Sequence, residues 1–181
     1  MSDSTILPGD MTEREMIERM IRVDHAGEYG AARVYDGQLA IMGRGPKGDL
    51  IRHMKAQEQV HLDTFSRLIT ERRVRPTVLL PLWHIAGLAL GVITAAMGDR
   101  AAMACTVAVE EAIDEHYAEQ AASLPDHEAT LRDHIEIFRA EEQGHRDVGL
   151  EHEAELAPGY RIMSAVIKAS CKVAIKVSER I

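Results

Sequence analysis

Glu28, Glu58-Gln-Val-His61, Glu110 and Glu142-Gln-Gly-His145 are the stretches whose reading decides the fold. They spell one half-site twice: a lone Glu and then, about thirty residues on, a Glu-x-x-His. The neighbours repeat as well. Tyr35 and Gln38 follow Glu28 at the intervals at which Tyr117 and Gln120 follow Glu110. Lys55-Ala-Gln-Glu58 matches Arg139-Ala-Glu-Glu142, and Asp63 and Asp147 each stand two residues after the His. The two Glu-to-Glu spans differ by only two residues, which a longer hairpin turn absorbs.

Four segments carry an apolar period near that of an α-helix, with the repeated Glu and His inside the apolar stripe. The first helix starts at the capping box Thr12-x-x-Glu15 and runs Ile17, Ile21, Glu28, Ala31, Tyr35, Met42. Gly43-Arg-Gly-Pro-Lys-Gly48 breaks it as a turn, lacking the strand–helix context of a phosphate loop. The second reads Ile51, Met54, Glu58, His61, Phe65, Leu68. The third starts near Asp99, reads Met103, Val107, Glu110, Ile113, Tyr117, Leu124, and stops at Pro125. The fourth reads Leu131, Ile135, Phe138, Glu142, His145, Gly149, with Ala157-Pro158-Gly159 as its expected end.

A carboxylate inside an apolar stripe is costly unless something pairs with it, and here that happens four times at repeated spacing. Residues i and i+3 share a helix face, so each Glu-x-x-His presents both side chains to one point. Four carboxylates and two imidazoles so arranged form the ligand set of ferritin-like two-metal carboxylate proteins. The expected fold is therefore all-α: a ferritin-like four-helix bundle, one domain over residues 1–181. Glu28, Glu58, His61, Glu110, Glu142 and His145 are the candidate metal ligands. Hard carboxylates, one imidazole per metal and no thiolate favour iron or manganese over structural zinc. Four carboxylate charges balance two divalent cations.

Bulk properties agree. A chain of 181 residues can bury a core as one domain. Cys105 and Cys171 give no disulfide framework and suit a reducing compartment. The net charge of −8 argues against general nucleic-acid binding. Met1 to Asp10 shows neither a basic region followed by an apolar run nor an Arg-rich presequence. A bacterial cytoplasmic setting or a mature organellar chain fits that pattern.

Between the second and third helices, Pro76 to Gly98 contains no Asp, Glu, Lys or Arg. Its length and composition nominate a transmembrane span. Topology opposes one, because a single crossing would put the two halves of the ligand set on opposite sides of the bilayer. Two readings stay open: a crossover helix packed on the bundle, or an interfacial or broken helix, which Pro81, Gly87, Gly91 and Trp83-His84 favour. The C-terminal segment is amphipathic. Ile162, Val166, Ile167, Val173 and Val177 supply apolar surface, while Lys168, Lys172, Lys176 and Arg180 form a basic stripe suited to anionic lipid or to a solvated face.

Asp24-His-Ala-Gly-Glu28-Tyr-Gly-Ala, Ala104-Cys-Thr-Val-Ala-Val-Glu110-Glu, Gly149-Leu-Glu-His-Glu-Ala-Glu-Leu-Ala-Pro158 and the closing Lys-Val-Ser-Glu-Arg-Ile resemble the demethoxyubiquinone hydroxylase family. The likeness runs from about Met11 to the end and includes all six ligand positions. It implies a peripheral membrane di-iron monooxygenase with two iron ions per chain, using molecular oxygen on the ring of a polyprenyl quinone. It implies Glu28 and His61 on one iron, Glu110 and His145 on the other, and Glu58 and Glu142 bridging. Location would be the cytoplasmic side of the cell membrane, or the matrix side of an organellar inner membrane. Reductant in the family is taken to be reduced nicotinamide or the quinol; the chain carries no dinucleotide fingerprint. No further catalytic or cofactor-binding residue is assigned. A homo-oligomer and a lipid-binding partner that delivers substrate both remain open.

Two rival functions share the fold: a ferritin-type ferroxidase or iron store, and a non-catalytic quinone-binding scaffold. The first needs a more polar crossover, and the second has no use for all six ligands. Around the ligands, Asp63 and Asp147 are candidates to accept the free N–H of the opposing imidazole. Tyr35 and Tyr117 suit either a hydrogen bond within the site or core packing; His116 could reach the edge of the site and His25 could be a polar neighbour of Glu28, and neither is assigned a role.

Overall fold

The structure, a computed structural model, describes residues 11–181. The reading of the N-terminal ten residues lies outside them. Among the described residues the regular elements are helical. They are α1 (Glu13–Met42), α2 (Gly48–Glu71), α3 (Leu80–Ala96), α4 (Asp99–Ser123), α5 (Ala129–Glu151) and α6 (Tyr160–Ser178), with short 3-10 turns at Asp126–Glu128 and Ala154–Leu156.

The capping box at Thr12 is present in full: its side chain accepts from the Glu15 N–H, and the Glu15 carboxylate accepts from the Thr12 N–H at 2.9 Å. Helices α1 and α2 form one hairpin, and α4 and α5 form the other. Each expected stripe faces inward, except that Ile113 is only half-buried. Two apolar layers result. Ile17, Ile21, Phe65, Leu131, Ile135 and Phe138 fill one end of the bundle. Met42, Ile51, Met54, Met103 and Val107 fill the other. The repeated Glu and His side chains lie between these layers.

The crossover α3 is one unbroken helix with Pro81 in its first turn, where a missing N–H costs nothing. Its glycines do not break it. They let α3 lie backbone-to-backbone along α1: a Cβ on Gly87 would stand 2.6 Å from the Gly30 carbonyl oxygen, and one on Gly91 would overlap that of Val34. Among the described residues no helix is long and apolar enough to cross a membrane. The side of α3 turned away from α1 remains apolar and open, with Ile85 67% exposed and Leu82 and Ile93 also outward.

One expectation is corrected. Helix α5 ends at Glu151, six residues before Ala157-Pro158-Gly159. Glu153 adopts the left-handed conformation (φ 62°), and the turn that follows buries Ala154 and Ala157 in the core. Ala-Pro-Gly instead introduces α6 through a left-handed Gly159 (φ 70°). The basic stripe of α6 is partly paired, with Lys172, Lys176 and Arg180 exposed. Lys168 pairs with Glu111 and Lys172 with Glu115 on α4, while Ile162 (75% exposed), Val166 and Val173 point outward.

Candidate metal centre

Each hairpin brings its lone Glu and its Glu-x-x-His to the same level between the apolar layers. Glu28, Glu58, His61 and Glu142 gather at one point, and Glu58, Glu110, Glu142 and His145 at a second. In each group one donor atom per residue lies within 4.8 Å of all the others. Glu58 and Glu142 belong to both groups, and all six side chains are buried.

Both imidazoles turn Nδ1 inward. His61 Nδ1 stands 3.1 Å from Glu142 Oε1 and 3.4 Å from Glu28 Oε2. His145 Nδ1 stands 3.0 Å from Glu142 Oε2 and 3.1 Å from Glu58 Oε1. Even so, both oxygens of Glu58 and one each of Glu28 and Glu110 are buried without a hydrogen-bond partner. Orphaned carboxylate oxygens converging with two imidazole nitrogens are what a pair of hard divalent cations needs. The donor set fits.

Without a cation the charges resolve differently. Burial raises the carboxyls of Glu28, Glu58 and Glu110 above their usual range, and the nearby Glu142 charge raises them further. Burial also works against Glu142, but hydrogen bonds from His145 and His61 outweigh it and hold that carboxyl at about 2. Burial opposes charge on the imidazoles. Their carboxylate partners win, pushing His61 up to about 12 and His145 to about 9. The apo centre thus favours an anionic Glu142 shared by two imidazolium groups, with the other three carboxyls held more proton-retentive than usual around it.

The repeated Tyr and Gln cross from one hairpin to the other. Tyr35 donates to Glu110 Oε1 at 2.8 Å, and Tyr117 donates to Glu28. Gln38 donates to the Ala102 carbonyl at 3.1 Å, and Gln120 donates to Asp24 at 2.8 Å. The equal Glu-to-Tyr intervals are the signal of this reciprocity, because α1 and α4 run antiparallel.

A family model described as ubiquinone biosynthesis protein COQ7 matches residues 15–178. This chain belongs to that family. It is 53% identical over 176 residues to a 3-demethoxyubiquinol 3-hydroxylase of Rhodospirillum rubrum, spanning 97% of this chain and 83% of the relative. It is 52% identical over 176 residues to the bovine mitochondrial NADPH-dependent 3-demethoxyubiquinone 3-hydroxylase, spanning 95% and 81%. A yeast relative named 5-demethoxyubiquinone hydroxylase, mitochondrial, is 38% identical over 182 residues, spanning 91% and 78%.

In this COQ7 member the partners of the outer imidazole nitrogens are not Asp63 and Asp147. Those carboxylates lie on the surface, with Asp63 accepting from Gln59 and Asp147 from Arg146. A residue two places beyond a ligand sits about 200° round the helix, away from the centre. His61 Nε2 instead meets Glu141 Oε2 at 2.6 Å, and His145 Nε2 meets Gln57 Oε1 at 3.1 Å. These two residues, each directly before a Glu of the Glu-x-x-His, escaped the sequence reading. Their equivalent places in the repeat were the available signal. Of the remaining histidines, His116 bonds Gln120 and approaches Asp24 at 3.3 Å, while the His25 Nδ1 has no partner.

Behind the centre lies an apolar cavity of about 180 Å³. Its floor is the outer side of α1 and α4, with Ala26, Gly27, Gly30 and Val34 on one and Val109 and Ile113 on the other. Its walls are α3, through Trp83, Gly87 and Leu90, and α6, through Ile167, Cys171 and Ala174. Trp83 Nε1 donates to Ser178 Oγ at 3.0 Å and ties the walls together at one end. Gly27 and Val109 immediately precede Glu28 and Glu110, so floor and ligands share two helices.

Proposed function

We propose that this chain is a di-iron, oxygen-dependent hydroxylase acting on the benzoquinone ring of demethoxyubiquinone or demethoxyubiquinol in ubiquinone biosynthesis. The observation that carries the reading is the pair of overlapping carboxylate–imidazole groups, in a chain about half identical to relatives named for that reaction. Glu28 with His61 would hold one iron and Glu110 with His145 the other, Glu58 and Glu142 bridging. When bound, the irons supply the activation of oxygen and its insertion into the ring.

The protein's own part is positional. Tyr117 and Tyr35 fix the terminal carboxylates Glu28 and Glu110 from across the bundle, and each keeps a buried hydroxyl proton beside them. Two apolar layers exclude bulk water from the reacting volume. The apolar cavity between α3 and α6 takes the prenylated quinone and presents its ring toward the floor shared with Glu28 and Glu110. The outward apolar residues of α3 and α6 flank that cavity and lie at the surface of a membrane, the milieu of such a substrate. An iron store would have no use for this open apolar face.

Complementation tests the assignment. In cells lacking their own hydroxylase, this chain should convert accumulated demethoxyubiquinone to ubiquinone, and Glu58→Ala should not. If wild-type protein binds iron yet leaves the demethoxy precursor unchanged, the hydroxylase reading fails and the iron-store reading takes its place.

A further inference from the structure

The two half-sites are alike in their ligands and unlike in what stands behind them. His61 Nε2 is held at 2.6 Å by the Glu141 carboxylate, whereas His145 Nε2 is held at 3.1 Å by the neutral amide oxygen of Gln57. Glu141 and Gln57 occupy equivalent places in the repeat, one residue before Glu142 and Glu58. A second inequality has the same sense. The His61 ring stacks on Phe138, with centroids 4.0 Å apart and planes 29° apart. The place equivalent to Phe138 in the other hairpin is Met54, and His145 has only an edge-on contact with Tyr35 at 6.2 Å.

A carboxylate accepting from the outer N–H makes the inner nitrogen of an imidazole a stronger donor and adds negative charge to its side of the centre. A ring stacked on Phe138 also loses less freedom when a cation binds. We infer that the two metal positions are inequivalent and fill in order, with the position of Glu28 and His61 taking the first divalent cation, and that Glu141 and Gln57 are the positioning residues that set this order. The inference rests on the two-metal reading of the centre and adds a direction to it.

The test uses the full-length chain and Mn(II) alone. Anomalous diffraction at one equivalent should place the ion beside His61. The spin-resonance signal should remain that of an isolated ion until the second equivalent couples the pair. Glu141→Gln should weaken the first step by about 10–100-fold, the usual effect of removing such an outer partner. The exchange Gln57→Glu with Glu141→Gln conserves charge and should move the first ion to His145. Gln57→Glu alone should tighten the second step, a gain that damage to the fold would not produce. Equal occupancy of both positions at one equivalent, or an exchange variant of native helical content that still fills beside His61, overturns the ordering while leaving the two-metal reading intact. A wild-type chain that binds no Mn(II) or ferrous iron overturns both.

Discussion

Inward from α1 and α4, Glu28 and Glu110 are buried beside two imidazoles and two further carboxylates. Outward, the same two helices offer Ala26, Gly27, Gly30 and Val109 to an apolar cavity. The opposed faces are one residue apart in sequence: Gly27 precedes Glu28, and Val109 precedes Glu110. The inner face is rigid through reciprocal hydrogen bonds from Tyr35 and Tyr117. The outer face is shaped by missing side chains, since a Cβ at Gly27 or Gly30 would meet nothing within 4 Å. One pair of helices can thus hold a charged centre and an oily cavity back to back, because a helix turns its chemistry by 100° per residue.

The sharpest break in that comparison is Glu58→Ala. It removes a carboxylate common to both ligand groups, so bound iron and activity should fall below detection while helical content survives. Iron itself should raise the melting temperature of the wild-type chain, with about 2.7 kcal/mol of stability for each bound ion at a hundredfold excess over its Kd. Glu115→Ala, which cuts only an exposed pair with Lys172, should change neither iron content nor turnover measurably.

Tyr117→Phe should act next most strongly. It frees the Glu28 carboxylate on the inner face and should lower metal affinity or turnover about 10–100-fold, read by iron titration and by quinone analysis. Gly30→Leu separates the faces from the other side. The new side chain fills the cavity, so KM for a long-tailed quinone should rise about tenfold with iron content unchanged. Replacing a helical glycine also stabilises the helix, so this variant should melt slightly higher while working worse.

The gentlest probe is pH on the apo protein. Glu142 is held at about 2, so its contribution is complete above 4.5 and is lost as pH falls through 2. The raised Glu28, Glu58 and Glu110 carboxyls contribute fully below 4.5 and lose that contribution as pH rises. The raised imidazoles do the same from 6.5 upward, through about 9 for His145 and about 12 for His61. Stability from the apo centre should therefore peak near pH 4.5 and decline toward pH 9. The iron form should not decline in this way, because protons compete with the metal and alkaline pH strengthens its binding. Melting curves with and without iron between pH 4.5 and 9 measure the crossing. A pH-independent difference between the two would separate the carboxylate cluster from metal binding.

The bundle and the meeting of the six side chains were legible in the sequence, because buried carboxylates at helical spacing inside apolar stripes have few physical solutions. Periodicity also located the capping box at Thr12 and the stop at Pro125, where local chemistry decides. Three things waited for the tertiary structure. Glu141 and Gln57 look like ordinary helix residues until α2 and α5 are laid antiparallel and each reaches the other's imidazole. Lys168 and Lys172 read equally as a stripe for anionic lipid or as a solvated face until α6 is docked and they are seen to pair with Glu111 and Glu115. Gly87 and Gly91 read as breaks until α3 is pressed against α1. In each case the deciding partner lies on another helix. A sequence records which face a residue occupies, and only packing records what that face meets.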